Sequence, residues 1–389
     1  MEGNHEHFMK SIRIFAPGRD FRYAAKHPLD LAELLSQQGY NVEVVAPMDS
    51  DVVALHNQRG FSIRTLPIIL RRWVTAFRST EYLILAMLQG IPVADITIGV
   101  DPPGFMIAHK LKQLKRTRMV VYYAMELLLP EEVPDQQTVG YQARYIRQAD
   151  LVITTGKHRA EVLQKRFLLP SKPIVIHNSF VTPPTWPEPS LQKTLVERGF
   201  SPAKHLVLFL GHLFWQHALK EVIESMSDWP IESGLVIAGY GDSEYVTELL
   251  DLASTRGLSD RIYYLGALAS GAENVFALMR GASIGLVLKR YKGCILNDIY
   301  YTPTKLFEYG AVGLPVICSD QESLRFVESE GWGICVDSEK PEKIGLAVNV
   351  FLENKMRLEK ASAVAQQRFE EVYCMEKQIL PLLQFLKDA

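Results

Sequence analysis

The chain has 389 residues, 48% of them hydrophobic and 22% charged, which is too long for one core and suits two globular domains. A formal net charge of −2 argues against nucleic-acid binding by the whole chain, and no apolar run reaches the roughly 18 residues a spanning helix needs. The charge is uneven: residues 1–180 hold 22 Lys/Arg against 17 Asp/Glu, and the remainder 20 against 27, so the basic first half suits an anionic lipid or acceptor. Cys294, Cys318, Cys335 and Cys374 show no paired spacing and read as free thiols of a reducing compartment. The first ten residues lack the apolar core of a signal peptide, so a cytoplasmic protein is expected, with the inner face of the membrane as a peripheral location.

Ser11–Pro17 reads as an apolar strand. Asp30 then precedes a stripe of Leu31, Leu34 and Leu35, a helix closed at Gly39, and Asn41–Pro47 gives a second strand. Strand, helix and strand form the unit of a parallel, doubly wound sheet. Further strands are expected at Phe61–Leu66, Ala94–Val100, Met119–Ala124, Leu151–Thr155 and Ile174–His177. Gly18, Arg19 and Arg22 occupy the loop after the first strand, where arginines suit a phosphate or simply a solvated surface. Arg71, Arg72, Trp73, Phe77 and Arg78, with Lys110, Lys112, Lys115, Arg116 and Arg118, suit either a membrane surface or a solvated face. Asp101 and Glu126 fall at carboxyl ends of strands, where such sheets bind ligands; capping a turn is the plain alternative. His177 closes the last strand of this half and faces either a ligand or the core.

Four prolines between Val181 and Pro189 exclude a helix or central strand and mark a linker. Beyond it, strands are expected at Leu206–Leu210, Leu235–Gly241, Arg261–Leu268, Ala282–Leu288 and Trp332–Val336, with helices over 341–353 and 354–372. Gly239 and Gly241 form a Gly-x-Gly turn that admits close backbone approach to a nucleotide. The richest stretch is Asn297–Asp320. Pro303 opens a short helix, Lys305 and Glu308 share one face of it, and Gly310 and Gly313 end it before a Pro315–Cys318 strand. A helix start and a lysine suit a diphosphate, leaving the carboxylate for ribose hydroxyls; the plain alternative is an ordinary Lys–Glu helix pair.

Pro303, Lys305, Glu308, Tyr309, Ala311, Gly313, Pro315, Val316 and Ile317 match the pattern Pro-Ser-Lys-x-x-Glu-Tyr-x-Ala-x-Gly-x-Pro-Val-Ile. The stretch therefore resembles the donor-site signature of GT-B glycosyltransferases of the retaining, family 4-like group (glycosyl transferases group 1). That resemblance implies an α/β chain of two Rossmann-like, doubly wound domains facing a cleft. It sets an acceptor domain at 1–182 completed by a terminal helix at about 368–389, a hinge at 183–200 and a nucleotide-sugar domain at 201–367. The implied reaction moves a sugar from a UDP- or GDP-linked donor to a glycan, lipid-linked or small-molecule acceptor, with retention, with no cofactor and no metal site.

By the same resemblance Lys305 and Glu308 are the chief catalytic residues, joined by Asp298 and by Glu126. Gly18, Arg19, Gly211, His212, Lys220, Gly239, Gly241, Leu268, Lys289, Tyr300 and Thr304 join Glu308 in holding the donor, Leu268 through a loop that faces the base. The chain departs from the group in five places. Only Gly18 remains of a usual glycine pair, and Met125 replaces a histidine that reaches the donor sugar. His212 replaces an arginine, Lys220 is the nearest lysine to one expected about six residues past the strand end, and Tyr300 replaces a glutamate. Two alternatives stay open: a sugar-nucleotide epimerase of the same fold, using His177 or His212, and an inactive relative acting as a partner subunit.

Overall fold

A computed structural model describes residues 10–17, 27–46, 53, 59–65, 90–268 and 272–388. It divides into two compact units, one of 1–181 with 375–389 and one of 182–374. Among the described residues the first unit holds seven parallel strands: β1 (Ser11–Phe15), β2 (Asn41–Ala46), β3 (Ser62–Thr65), β4 (Ala94–Val100), β5 (Thr117–Ala124), β6 (Leu151–Thr154) and β7 (Ile174–Val175). Their order is β3-β2-β1-β4-β5-β6-β7, as the chain of strand–helix–strand units requires. The strands are nearly continuous apolar runs because helices cover both faces; Val120 to Ala124 are fully buried. The helix His27–Gln37 buries Leu31, Leu34 and Leu35 on β1 and β2.

The last segment completes this unit. Ile379, Leu382, Leu383 and Leu386 lie in the same apolar cluster as Leu31 and Val44. Gln378 Oε1 accepts the His177 backbone N–H at 2.6 Å and lies 2.9 Å from His177 Nδ1. His177 is therefore a docking point for the C-terminal segment. The helix expected over 354–372 runs Lys355–Arg368 and then loosens into a wide turn at Phe369–Tyr373.

The second unit holds six parallel strands: β8 (His205–Leu210), β9 (Ser233–Ala238), β10 (Ile262–Gly266), β11 (Ile284–Val287), β12 (Val316–Ser319) and β13 (Gly333–Val336), in the order β10-β9-β8-β11-β12-β13. The proline-rich stretch leads into it, with Trp186 edge-on to Phe276 at 5.1 Å. The strand order reverses direction between β8 and β11, and an open α/β sheet opens its ligand crevice at the carboxyl ends of such a pair. In the first unit the corresponding pair is β1 and β4. Two α/β units, each with a doubly wound parallel sheet, match the expected fold class. Among the described residues no helix is long and apolar enough to cross a membrane.

Candidate functional site

At the end of β8 the chain turns through Gly211, whose φ of +137° is closed to ordinary side chains. A methyl group on it would fall 3.6 Å from Lys305 Nζ. Lys305 arrives from the helix Thr304–Ala311, which starts at Pro303 with no side chain capping its N-terminus, so that end keeps its affinity for an anion. Gly310 stays inside this helix, where a side chain would press on Trp332, and the stop comes at Gly313 with φ +69°.

Lys305 Nζ sits over the Phe209 ring, 4.1 Å from its centroid, and has no ion-pair partner among the described residues. Desolvation lowers its pKa to about 8; Glu308, one turn further on, acts against that fall, and Lys289 adds to it. A half-buried, partly desolvated cation with no carboxylate in ion-pair contact among the described residues is costly and fits a ligand site.

Lys289 follows β11. Its N–H donates to Ser319 Oγ at 2.7 Å and its ammonium to Asp298 Oδ1 at 2.6 Å, in the turn Leu296–Ile299. Asp298 is thus a partly neutralised acid. Arg290 next to it donates its backbone N–H to Gln216 O at 2.7 Å, pairs with Glu221, and lies 5.7 Å from the Trp215 ring. These contacts tie the end of β11 to the loop after β8. Tyr300 closes the Leu296–Ile299 turn with its N–H on Leu296 O at 2.9 Å. Thr304 opens the Lys305 helix, Glu308 is partly buried on it, and Leu268 is partly buried just past β10.

The loop between Gly211 and Ala218 differs from expectation. Lys220 lies on the helix Leu219–Ser225 and is ion-paired to Glu248 of the helix Ser243–Thr255, so it does not join the strand ends. Six residues past Gly211 stands His217 instead, a residue that a search for lysine passes over. Its Nδ1 lies 2.7 Å from the His212 carbonyl oxygen and its ring 5.5 Å from Phe209. Burial lowers its pKa to about 3, with Lys305 pushing the same way. His212 is exposed, against Phe214 and Tyr240 with ring centroids 6.0 and 5.0 Å away.

Gly239 and Gly241 are required by the protein's own packing. A methyl on Gly239 would fall 1.7 Å from Gly211 O, and one on Gly241 2.3 Å from Leu213 O. The Gly239 N–H is given to Gly266 O at 2.8 Å and Leu213 N–H to Tyr240 O at 2.7 Å. The Gly-x-Gly turn thus seats the β8 loop.

In the first unit, Gly18, Arg19 and Arg22 lie outside the described residues, as do Arg71, Arg72, Trp73, Phe77 and Arg78. Asp101 Oδ1 accepts the N–H groups of Met125 and Glu126, each at 3.0 Å. Glu126 Oε2 is 3.7 Å from Nη2 of the wholly buried Arg159. The nearby basic cluster is largely paired within the fold: Lys112 with Asp150 at 2.6 Å, Arg118 with Asp95 at 3.7 Å, and Arg116 on Ile91 O.

The strand ends thus define a GT-B architecture with an anion-seeking crevice in the second unit. Residues 193–368 match the family described as Glycosyl transferases group 1. Among solved structures, HepE of Anabaena in complex with UDP and glucose is similar, with a TM-score of 0.75, 16% identity, and 98% of this chain and 100% of that one covered. Sucrose-phosphate synthase of Thermosynechococcus elongatus gives 0.70, 14%, 97% and 98%. A putative UDP-N-acetylglucosamine 2-epimerase of Listeria monocytogenes gives 0.63, 12%, 98% and 98%, so the fold by itself does not separate the two activities. No curated protein sequence matches the chain. The chain thus has the GT-B fold, and residues 193–368, within its second unit, match the glycosyl transferases group 1 family.

Proposed function

We propose that the chain transfers a sugar from a UDP- or GDP-linked donor to an acceptor hydroxyl with retention, without a metal ion, in building a glycan, polysaccharide or glycoconjugate. One observation carries this reading: a desolvated Lys305 with no counter-ion among the described residues, beside an uncapped helix start and Gly211, at the switch point of the second sheet. The complex of HepE with UDP and glucose favours UDP.

The chemistry follows from charge. As the sugar–phosphate bond lengthens, negative charge gathers on the departing diphosphate, and a fixed cation and helix N–H groups lower the barrier most in that state. Lys305 and the N–H groups at Thr304 hold the diphosphate, and Glu308 accepts hydrogen bonds from the ribose. Asp298, steered by Lys289, meets the hydroxyls of the transferred sugar. The acceptor attacks from the face the diphosphate leaves, and a donor phosphate oxygen takes its proton, so no protein nucleophile is needed. His177, one of the two histidines an epimerase would call on, lies 2.9 Å from Gln378 Oε1, and His212 is exposed.

A thermal-shift panel of UDP- and GDP-sugars tests the reading, because a ligand of the native state raises the melting point. At least one is expected to do so, with a glycosylated product on adding acceptor hydroxyls. No shift from any donor would overturn it, and a sugar isomer formed without acceptor would replace it with the epimerase. The cytoplasmic, membrane-surface location read from the basic residues is tested by co-sedimentation with anionic vesicles; no pelleting would remove the surface contact.

A further inference from the structure

We propose that His217 binds the donor's diphosphate only as an imidazolium, so that donor binding draws one proton from solution and weakens as pH rises. This rests on the donor-site reading above, and it comes from which ring nitrogen is already committed. His212 O, an acceptor only, lies 2.7 Å from His217 Nδ1, so Nδ1 must carry the hydrogen. A neutral ring then presents a lone pair at Nε2, which has no partner among the described residues. A phosphate oxygen cannot bond to that lone pair. It can bond only after Nε2 is protonated.

The surroundings keep the ring neutral until an anion comes. The Phe209 ring it packs against also carries the Lys305 ammonium. The charged groups facing it are Lys305 from the helix Thr304–Ala311, Lys289 from the end of β11, and His212 from its own loop, all positive or ionisable to positive. The nearby acids act elsewhere: Asp298 is paired with Lys289, Glu221 with Arg290, and Glu308 favours the charge on Lys305 without ion-pair contact. Burial and these cations hold the His217 pKa to about 3 in the free protein. The two negative charges of a nucleotide-sugar diphosphate at contact distance favour the imidazolium and act against that bias. A lysine there would carry its charge permanently; a histidine makes the grip conditional.

UDP-glucose and GDP-mannose are the right probes, because their doubly esterified diphosphates do not titrate near neutrality, whereas free UDP does. Calorimetry near pH 6.5, in buffers of different ionisation heat, counts protons taken up on binding while Lys305 is already charged. Uptake of about one proton, and affinity falling about tenfold per pH unit above neutrality, is expected. His217→Gln is expected to abolish the uptake, His217→Lys to bind without it, and His212→Asn to retain it. Donor binding with no uptake, or uptake lost with His212→Asn and kept with His217→Gln, would overturn the proposal and leave the donor site standing. No binding of either donor at any pH would remove the donor site and this proposal together.

Discussion

The two sheets end alike, yet their carboxyl edges treat charge in opposite ways. In the first unit the functional-looking groups are satisfied by neighbours: Asp101 takes two backbone N–H groups, and Glu126 faces Arg159, which also donates to Met125 O and Thr155 Oγ1. In the second, Lys305 has no carboxylate partner, the adjoining helix start is uncapped, and His217 Nε2 is unbonded among the described residues. Unbalanced charge lowers stability, so its place at the second sheet's edge, among the described residues, marks where an anion is needed. Acids in view and cations in want are different signals, and only the second points at a ligand.

Three substitutions sharpen or break this contrast. The largest effect is expected from Gly239→Ala, whose methyl would overlap Gly211 O in a backbone region with φ +145°. Denaturant unfolding should show a loss on the order of 3 kcal/mol, with the β8 loop and donor affinity disturbed together. A stable variant of full affinity would mean that the loop is not built as described. Next comes Glu308→Ala: UDP-glucose titration should show a loss of about 2 kcal/mol, while inorganic pyrophosphate binds as before. Equal losses for both would move Glu308 from the ribose to the phosphates. The smallest effect belongs to Glu126→Gln, where UDP affinity should change by less than about 1 kcal/mol. A larger change would show the first unit reaching the nucleotide.

Much of this was legible because it is local. Most strands of the two sheets are apolar runs bounded by glycine, proline or a polar turn, β3 (Ser-Ile-Arg-Thr) being an exception, and the Pro303–Ile317 stretch keeps the groups proposed to bind the donor within one helical turn. What escaped was set by tertiary packing. Gly239 and Gly241 read as nucleotide glycines, but their missing side chains make room for the loop at Gly211 and Leu213, earlier in the chain. Asp298 read as a sugar ligand, and the Lys289 ammonium that shares it is nine residues away across a turn. By residue type the cation expected after β8 is Lys220, but Lys220 is paired with Glu248, and the structure places His217 there instead. The carbonyl that fixes its tautomer is invisible without a fold.

The central claim is that Lys305 is kept charged and dry for a diphosphate, at a cost to the fold. Its pKa of about 8 in the folded protein lies below the ordinary 10.5, so the unfolded chain holds that proton more tightly. Charged Lys305 therefore lowers stability below about pH 8, and the cost fades as pH climbs toward the ordinary value. Melting curves of the wild type and Lys305→Met at neutral pH, with and without UDP-glucose, test this directly. The account expects the variant to melt higher without ligand, by a margin that shrinks in alkaline buffer, and to gain nothing from UDP-glucose. A variant that melts lower than the wild type, or is stabilised by UDP-glucose as the wild type is, would contradict it.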